Sequence, residues 1–307
     1  MKILVTGGAG YIGTELVKVL SADSRITEII VFDNLYKDQY SFFLGHTFDG
    51  PQRIRFVNGD LLDSRSLRKQ LDGVEVVYHL AAKVTTPFAN RDPHFFEQVN
   101  NWGTAELVYA VEESKTVKQF IYLSSTSVYG SSKKLVTEES EVNPRTFYGI
   151  SKMRGEEHVQ RLLSKVQTHI LRLGNVYGYS RSMRFDAVIN RFMFDAHFNN
   201  RIQIHGSGKQ HRAFIHVDVI ARLLGELLES KAPGGIYNVV DRNITVLDIV
   251  DALKEIYKNM EYIFINQHLD LRELKVDPAS ALRQFHDYNN PRGLQEELED
   301  FNSRYSF

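Results

Sequence analysis

Short apolar runs alternate with amphipathic segments along the N-terminal half of the chain. Five runs rich in β-branched residues predict strands, at Ile3–Val5, Ile29–Phe32, Ile54–Val57, Val76–Leu80 and Phe120–Ser124. Helical periodicity between them predicts helices, for example at Gly13–Leu20 and Ser64–Leu71. Buried strands that alternate with helices indicate an α/β fold, with a doubly wound parallel sheet covered on both faces.

The second half of the chain is less regular. The run THILRLGNVYG (168–178) predicts one further strand, VLDIVDALKEIY within Thr245–Tyr257 predicts a helix, and NNPRGLQEELEDFNSRYSF predicts a short capped helix at the end. The sequence contains no internal repeat and no low-complexity linker. We therefore expect one large sheet domain from residues 1–174 and about 213–240, and a smaller C-terminal lobe from about 175–212 and 241–307.

The amino-acid composition argues against several classes of function. The 307 residues include 37 Lys and Arg against 38 Asp and Glu, which argues against a general nucleic-acid partner. The chain has no Cys, which excludes disulfides, thiolate metal sites and a cysteine nucleophile. No apolar run approaches membrane length, so no membrane partner and a cytoplasmic location are expected.

The first candidate for chemistry is the stretch VTGGAGYIG, which follows a strand and begins a helix. Its spacing is Gly8-x-Gly10-x-x-Gly13, and glycines here permit a tight turn and close backbone approach to a pyrophosphate. Asp33 ends the next strand, where an acidic residue binds the adenosine ribose and repels a 2′-phosphate. The combination predicts NAD rather than NADP, while the glycines alone are compatible with an ordinary strand–helix turn.

The second candidate is RTFYGISKMRGEEH, in which Tyr148 and Lys152 share one face of a predicted helix. A nearby ammonium favours the phenolate and lowers the pKa of a tyrosine, which can then exchange a proton with a substrate hydroxyl. A Tyr-x-x-x-Lys pair by itself is also a common surface pattern.

Eight motifs occur together in a characteristic order: GGAGYIG, VFDN, NGDLLD, YHLAA, LSSTSVYG, YGISK, LRLGNVYG and HRAFIHVDV. With them, the chain resembles the extended short-chain dehydrogenases from Met1 to about Asn238. Within that group it resembles the NAD-dependent nucleotide-sugar epimerase/dehydratase branch, which includes the UDP-galactose 4-epimerases. The resemblance implies a Rossmann-type sheet, NAD as cofactor, a nucleotide-diphosphate sugar as substrate, and a homodimer through the helices bearing Tyr148 and Glu106–Glu113.

The resemblance also implies roles for individual residues. Ser125, Tyr148 and Lys152 would be catalytic. The cofactor would contact Gly7, Gly10, Tyr11, Ile12, Gly13, Asp33, Asn34, Asp60, Leu61, Leu80, Ala81, Ala82, Lys83, Asn100, Tyr148 and Lys152. The substrate would contact Thr85, Ser125, Thr126, Asn175, Arg184, Arg212 and Arg272.

Several of these residues have simpler interpretations. Asp60 could cap a turn, Asn175 could satisfy backbone groups at a strand end, and Arg212 or Lys83 could be a solvated cation. His205, His211 and His216 are interpreted as core or loop histidines rather than metal ligands, so no metal is expected.

Departures from the family pattern bear on the reaction. Related dehydratases place Asp-Glu after the catalytic Ser/Thr, whereas this chain has Thr126 and Ser127, whose hydroxyls cannot readily exchange protons at neutral pH. Epimerisation at sugar C4 is therefore expected, with Tyr148 as acid/base and a 4-keto intermediate. The alternatives are a one-way C4 dehydrogenase or 4-ketoreductase, possibly on a GDP-linked sugar or heptose, then a 4,6-dehydratase, and last a non-catalytic NAD-binding regulator. The epimerases' late diphosphate Arg is missing, with Gln267 and His268 in that region and Arg272 further on, which leaves the nucleotide open.

Overall fold

The computed structural model describes residues 1–36, 40–44, 48–84, 92–266 and 271–305. Thr85, a predicted substrate contact, lies outside these ranges, as do Gln267 and His268. No helix among the described residues is both long and apolar enough to span a membrane.

Strands are distributed along the whole chain. In chain order they are β1 (Lys2–Thr6), β2 (Glu28–Asp33), β3 (Ile54–Asn58), β4 (Val76–His79), β5 (Gln119–Ser125), β6 (Leu135–Val136), β7 (Gln167–Leu173), β8 (Asn175–Tyr177), β9 (Arg201–His205), β10 (His211–His216), β11 (Gly235–Val239), β12 (Arg242–Thr245), β13 (Glu261–Ile265) and β14 (Lys275–Val276). All five strands predicted for the N-terminal half are confirmed, with ends that differ by at most one residue.

The central sheet has seven strands in the order β11-β7-β5-β4-β1-β2-β3, all parallel. Alternate residues of β1 enter different cores: Ile3 and Val5 pack on one face of the sheet and Leu4 on the other. Because both faces are covered at β1, its central residues Ile3, Leu4 and Val5 are all apolar and buried. The predicted doubly wound, Rossmann-type α/β fold is confirmed.

Helices cover the sheet and the C-terminal region. They are α1 (Tyr11–Ser21), α2 (Ser64–Gln70), α3 (Pro93–Phe96), a π-helix (Glu97–Trp102), α4 (Gly103–Glu113), α5 (Phe147–Gln160), α6 (Val188–Asn199), α7 (Val217–Glu226), α8 (Val246–Ile256) and α9 (Leu294–Ser303). The predicted helix before Tyr257 and the predicted C-terminal helix correspond to α8 and α9. A reciprocal capping box between Thr245 and Asp248 begins α8.

The prediction of a single strand over residues 168–178 is wrong in one respect, because Gly174 divides the run into two strands. β7 stays in the central sheet, whereas β8 pairs with β10 in a separate three-stranded sheet. A Cβ at Gly174 would lie 2.9 Å from the Ala213 carbonyl oxygen, so glycine permits the change of sheet. An apolar run cannot show such a break, since both halves are buried.

The smaller sheets draw on the segments expected to form the lobe. β8, β10 and β12 form one sheet, β9 pairs with β13, and β14 pairs with β6. β10 extends to His216 and so passes the predicted boundary near residue 213. The division into two domains stays a proposal.

Candidate active site

The candidate site lies at the carboxyl ends of β1 and β4, where the order of strands along the sheet reverses. Open parallel sheets bind ligands at such switch points. A cleft is present there, and twelve of the predicted cofactor residues line it: Gly7, Gly10, Tyr11, Ile12, Asp33, Asn34, Asp60, Leu61, Leu80, Ala81, Ala82 and Lys83. Arg184, a predicted substrate contact, also lines it, whereas Gly13, Asn100, Tyr148 and Lys152 do not.

Glycines make this cleft possible in two ways. Gly7 has a φ of +70°, and a Cβ there would lie 2.5 Å from the Ala81 nitrogen. A Cβ at Gly13 would lie 2.3 Å from the Gly7 carbonyl oxygen, so Gly13 allows α1 to pack on the loop. A Cβ at Gly10 would meet only the Gly7 carbonyl oxygen, at 3.2 Å, which leaves that face open to the cleft. The first N–H groups of α1 lie beside this opening, as a pyrophosphate requires.

Asp33 and Asn34 form the wall at the end of β2. The Asp33 carboxylate accepts hydrogen bonds from the backbone N–H of Ala9 (3.1 Å) and of Leu35 (2.9 Å). Burial raises the pKa of Asp33, and these N–H groups oppose the rise. Asp60 accepts from the Asn34 amide at 3.1 Å and from the Leu62 N–H at 2.9 Å, so it does cap a turn, as one interpretation expected, while also lining the cleft.

Asn100 is buried and lies outside the lining of the cleft. Its buried side-chain amide accepts from the Lys83 N–H (2.8 Å) and donates to the Lys83 carbonyl (3.0 Å) and the Ser151 hydroxyl (3.0 Å). The residue belongs to the π-helix, a wide turn that often occurs near functional sites. Asn100 thus ties the Lys83 loop to α5, and its predicted contact with the cofactor stays a prediction.

Lys83 is the cation of this loop, and two aromatic rings enclose it. Its ammonium lies 4.4 Å from the ring centroids of both Tyr36 and Phe95, a cation–π arrangement. Both rings line the cleft, so Lys83 is not simply solvated. No sequence motif predicts Tyr36 or Phe95 at the site. Tyr36 follows β2 and Phe95 lies in α3, and only the fold places them together.

The helix α5 carries the tyrosine and the lysine. The Thr146 hydroxyl caps it by accepting from the Gly149 N–H at 3.1 Å, which places Tyr148 in the first turn and Lys152 one turn later. Tyr148 is buried, and burial raises its pKa, against the opposing effects of Arg184, a hydrogen bond with Ser125, and Arg272. The predicted lowering of this pKa depends on a nearby ammonium together with the positive charge of an oxidised nicotinamide, and it stays a prediction.

Lys152 is buried as well and points toward β5. Its ammonium donates to the Leu123 carbonyl at 2.7 Å and lies 4.7 Å from the Tyr122 ring centroid. Burial lowers the pKa of Lys152 to about 7, and the Glu156 carboxylate opposes that shift. Glu156 lies one turn further along α5, at a spacing visible in the sequence, although no motif predicts its role.

Glu156 forms a buried ion pair with Arg172 of β7. The closest guanidinium-to-carboxylate distance is 2.7 Å, and the Ser124 hydroxyl also donates to Glu156, at 2.5 Å. Arg172 also donates to the Tyr129 hydroxyl at 2.9 Å. This network fixes α5 against the end of β5, where Ser125 lies.

The predicted substrate residues have different environments. The Asn175 amide donates to the Ala213 carbonyl at 2.9 Å, which matches its simpler interpretation. Arg184 pairs with Asp186 at 2.9 Å. Thr126 is buried, and its backbone carbonyl accepts from Arg272 at 2.8 Å.

Near Tyr148, Arg272 forms no ion pair with a carboxylate of any described residue, and neither does its neighbour Arg212. Burial lowers the pKa of both guanidinium groups, and in each the Nε–H has no hydrogen-bond partner. Arg212 is thus not a surface cation, contrary to the simpler interpretation.

The histidines have local partners. His211 lies 2.9 Å from the Glu273 carboxylate, and the His216 ring accepts from the Asp218 N–H at 3.2 Å. Within the described ranges, no cluster of three or more His, Asp or Glu residues has the arrangement of a metal site.

Comparison with known proteins connects this geometry to a family. The model of the NAD dependent epimerase/dehydratase family matches residues 3–240. Human dTDP-D-glucose 4,6-dehydratase is 32% identical over 265 residues, which covers 84% of this chain and 74% of that protein. A putative UDP-glucose 4-epimerase of Methanocaldococcus jannaschii is 29% identical over 259 residues, covering 82% and 81%.

Among solved structures, the UDP-glucuronic acid 4-epimerase from Bacillus cereus, in complex with UDP-glucuronic acid and NAD, superposes with a TM-score of 0.86. The sequence identity is 27%, over 99% of this chain and 98% of the other.

Proposed function

This chain belongs to the NAD-dependent epimerase/dehydratase family and is an enzyme whose cofactor is NAD, and on that basis we propose that it inverts C4 of a nucleotide-diphosphate sugar through a 4-keto intermediate. The observation that carries the proposal is the placement of Tyr148, hydrogen-bonded to Ser125, beside Thr126 and Ser127 rather than beside an acidic pair. Dehydration at C5–C6 needs an additional acid and base, which hydroxyl groups supply poorly.

The cleft fits NAD. The open face at Gly10 and the N–H groups of α1 suit the pyrophosphate, and Asp33 suits the adenosine ribose. Bound NAD supplies a hydride acceptor and donor. Gly7, Gly10, Asp33 and Asn34 are the residues that we expect to hold it.

The proton chemistry belongs to the chain's own residues. Ser125 orients the C4 hydroxyl by hydrogen bonding, and Tyr148 accepts its proton. The charges of Arg184 and Arg272 favour the phenolate, against the effect of burial. In the reverse direction Tyr148 returns the proton to the C4 oxygen, which completes epimerisation when the 4-keto sugar has turned over in the pocket.

Proton NMR tests the reaction directly. UDP-glucose, UDP-glucuronic acid and GDP-linked sugars are incubated with the enzyme, and the appearance of a C4-inverted product is expected from at least one of them. Net NADH formation or consumption at the nicotinamide absorbance band, without inversion, would instead establish the one-way dehydrogenase or ketoreductase. A 6-deoxy-4-keto product would establish the dehydratase.

Tyr148→Phe removes the acid/base and keeps the ring. Turnover is expected to fall by at least about 1,000-fold, at the upper part of the range for general acid–base groups. NAD affinity should change little, because the variant keeps the aromatic ring and leaves Gly7, Gly10, Asp33 and Asn34 unchanged. Full activity in this variant would refute the assigned base.

A homodimer and a cytoplasmic location remain predictions. Exposed aromatic residues support the homodimer, since Trp102 and Tyr109 lie on the π-helix and α4, and Phe147 begins the neighbouring α5. Light scattering after size-exclusion chromatography is expected to give twice the chain mass, and Tyr109→Glu should shift it toward the monomer.

A further inference from the structure

Arg272 presents an unused hydrogen-bonding edge. One terminal nitrogen donates to the Ser127 hydroxyl at 2.9 Å and the other to the Thr126 carbonyl at 2.8 Å, which fixes the plane of the guanidinium. The Nε–H is buried and has no partner among the described residues. A fixed guanidinium plane with free N–H groups is suited to bidentate binding of a planar anion.

The charge of Arg272 is also uncompensated. No carboxylate of a described residue forms an ion pair with it, and its charged neighbour is a second cation, Arg212, which is partly buried like Arg272 itself. Two partly buried guanidinium groups of like charge repel each other, and an anion that joins them relieves this repulsion. The site is therefore built for anionic groups of a ligand.

The position of Arg272 shows which end of a ligand it meets. The residues it holds, Thr126 and Ser127, directly follow Ser125, and its charge lowers the pKa of Tyr148. Arg272 thus lies at the reacting end of the pocket. In a hexopyranose that reacts at C4, the C6 substituent is attached to the adjacent carbon, C5, whereas the diphosphate is attached across the ring at C1.

We propose that Arg272 binds a carboxylate at C6 of the sugar, so that the substrate is a nucleotide-linked uronic acid. The inference rests on the proposed function, because C4 chemistry is what places C6 beside Tyr148. Arg212 is then available to bind the diphosphate. The hydroxyl groups of Thr126 and Ser127 agree with this assignment, since acidic side chains there would repel a carboxylate.

Binding measurements test the inference without relying on turnover. Calorimetry in the Tyr148→Phe background compares UDP-glucuronic acid with UDP-glucose, which differ at C6 alone. The uronate is expected to bind at least about tenfold more tightly. Arg272→Gln should weaken uronate binding by about 30-fold, as expected for losing charge-assisted hydrogen bonds, and UDP-glucose binding by less than about threefold. Arg272→Lys should retain part of the preference, because it keeps the charge and loses the fork.

Arg65→Gln provides the matched control, since Arg65 is exposed on α2, and it should leave both affinities unchanged. Equal losses for both ligands in Arg272→Gln would overturn the inference and assign Arg272 to the diphosphate or to the fold. Tighter binding of UDP-glucose, or no binding of either ligand, would also overturn it. A selective loss for the uronate combined with no C4 inversion by the wild-type enzyme would refute the proposed function and leave the carboxylate site established.

Discussion

Tyr148 and Lys152 are both buried, and burial moves their pKa values in opposite directions. The pKa of the phenol rises and that of the ammonium falls to about 7, so each residue disfavours its charged form when no ligand is present. Arg184 and Arg272 favour the phenolate, and Glu156 favours the ammonium. The charged forms that catalysis uses therefore depend on neighbours outside the Tyr-x-x-x-Lys motif.

The Lys152 pKa leads to a prediction about stability and pH. In the unfolded chain this lysine still holds its proton between pH 7 and its ordinary pKa of 10.5, whereas in the folded protein it does not. Its contribution to the free energy of unfolding therefore increases as pH rises through this window and is constant below it. Urea unfolding without NAD, at several pH values from 6 to about 9, should show the wild type gaining stability relative to Lys152→Met above about pH 7. Lys209→Met is the control variant, because it removes an exposed lysine. A stability difference between the wild type and Lys152→Met that does not change with pH would contradict the lowered pKa.

Among the structural elements, α5, β5 and β7 meet through the Glu156–Arg172 pair. The pair is buried, bidentate and bonded further to Ser124 and Tyr129, so one helix and two strands share one polar network. Such a network costs desolvation, but breaking one half leaves the other charge buried alone. Its position between Lys152 and Ser125 makes it the support for the candidate catalytic residues.

Glu156→Gln is expected to reduce the free energy of unfolding by about 3 kcal/mol, because Arg172 loses its counter-charge. Urea unfolding measures this loss. Glu113→Gln, which breaks the exposed pair with Arg68, should have little effect. Arg172→Met added to Glu156→Gln should recover part of the stability, since the lone charge is removed. Equal effects of the buried and exposed substitutions would contradict the role of the network.

Across the whole molecule, the cleft that we propose for NAD joins parts of the chain that are distant in sequence. The cleft uses the turns after β1, β2, β3 and β4, and Arg184 from the second half of the chain. Binding to the folded state alone stabilises it, by about 2.7 kcal/mol at a free concentration 100 times Kd. Thermal unfolding with and without NAD therefore reports on the whole cleft.

Two glycine substitutions should separate folding from cofactor binding. Gly7→Ala is expected to lower the thermal midpoint even without NAD, since the new Cβ meets the Ala81 backbone at a positive φ. Gly10→Ala should keep a midpoint near that of the wild type but lose most of the rise that NAD produces, because its methyl group enters the cleft. A normal NAD-induced rise in Gly10→Ala would contradict the placement of the pyrophosphate.

The sequence determined the class of fold and the general position of the site. Apolar runs of strand length and intervening helical periodicity predict a parallel sheet, and the glycines before α1, followed by Asp33, predict a dinucleotide cleft, because local spacing is enough to specify these features. The pairing of Tyr148 with Lys152 is also determined by the sequence, since residues four apart on a helix share a face.

Only the tertiary structure decided what surrounds these residues. Four features depend on segments that are far apart in the chain: the break at Gly174, the contacts of Asn100, the enclosure of Lys83 by Tyr36 and Phe95, and the lack of a carboxylate partner for Arg272 among the described residues. Burial and the charges of such neighbours set the pKa values of Tyr148 and Lys152, and no spacing along the chain encodes them.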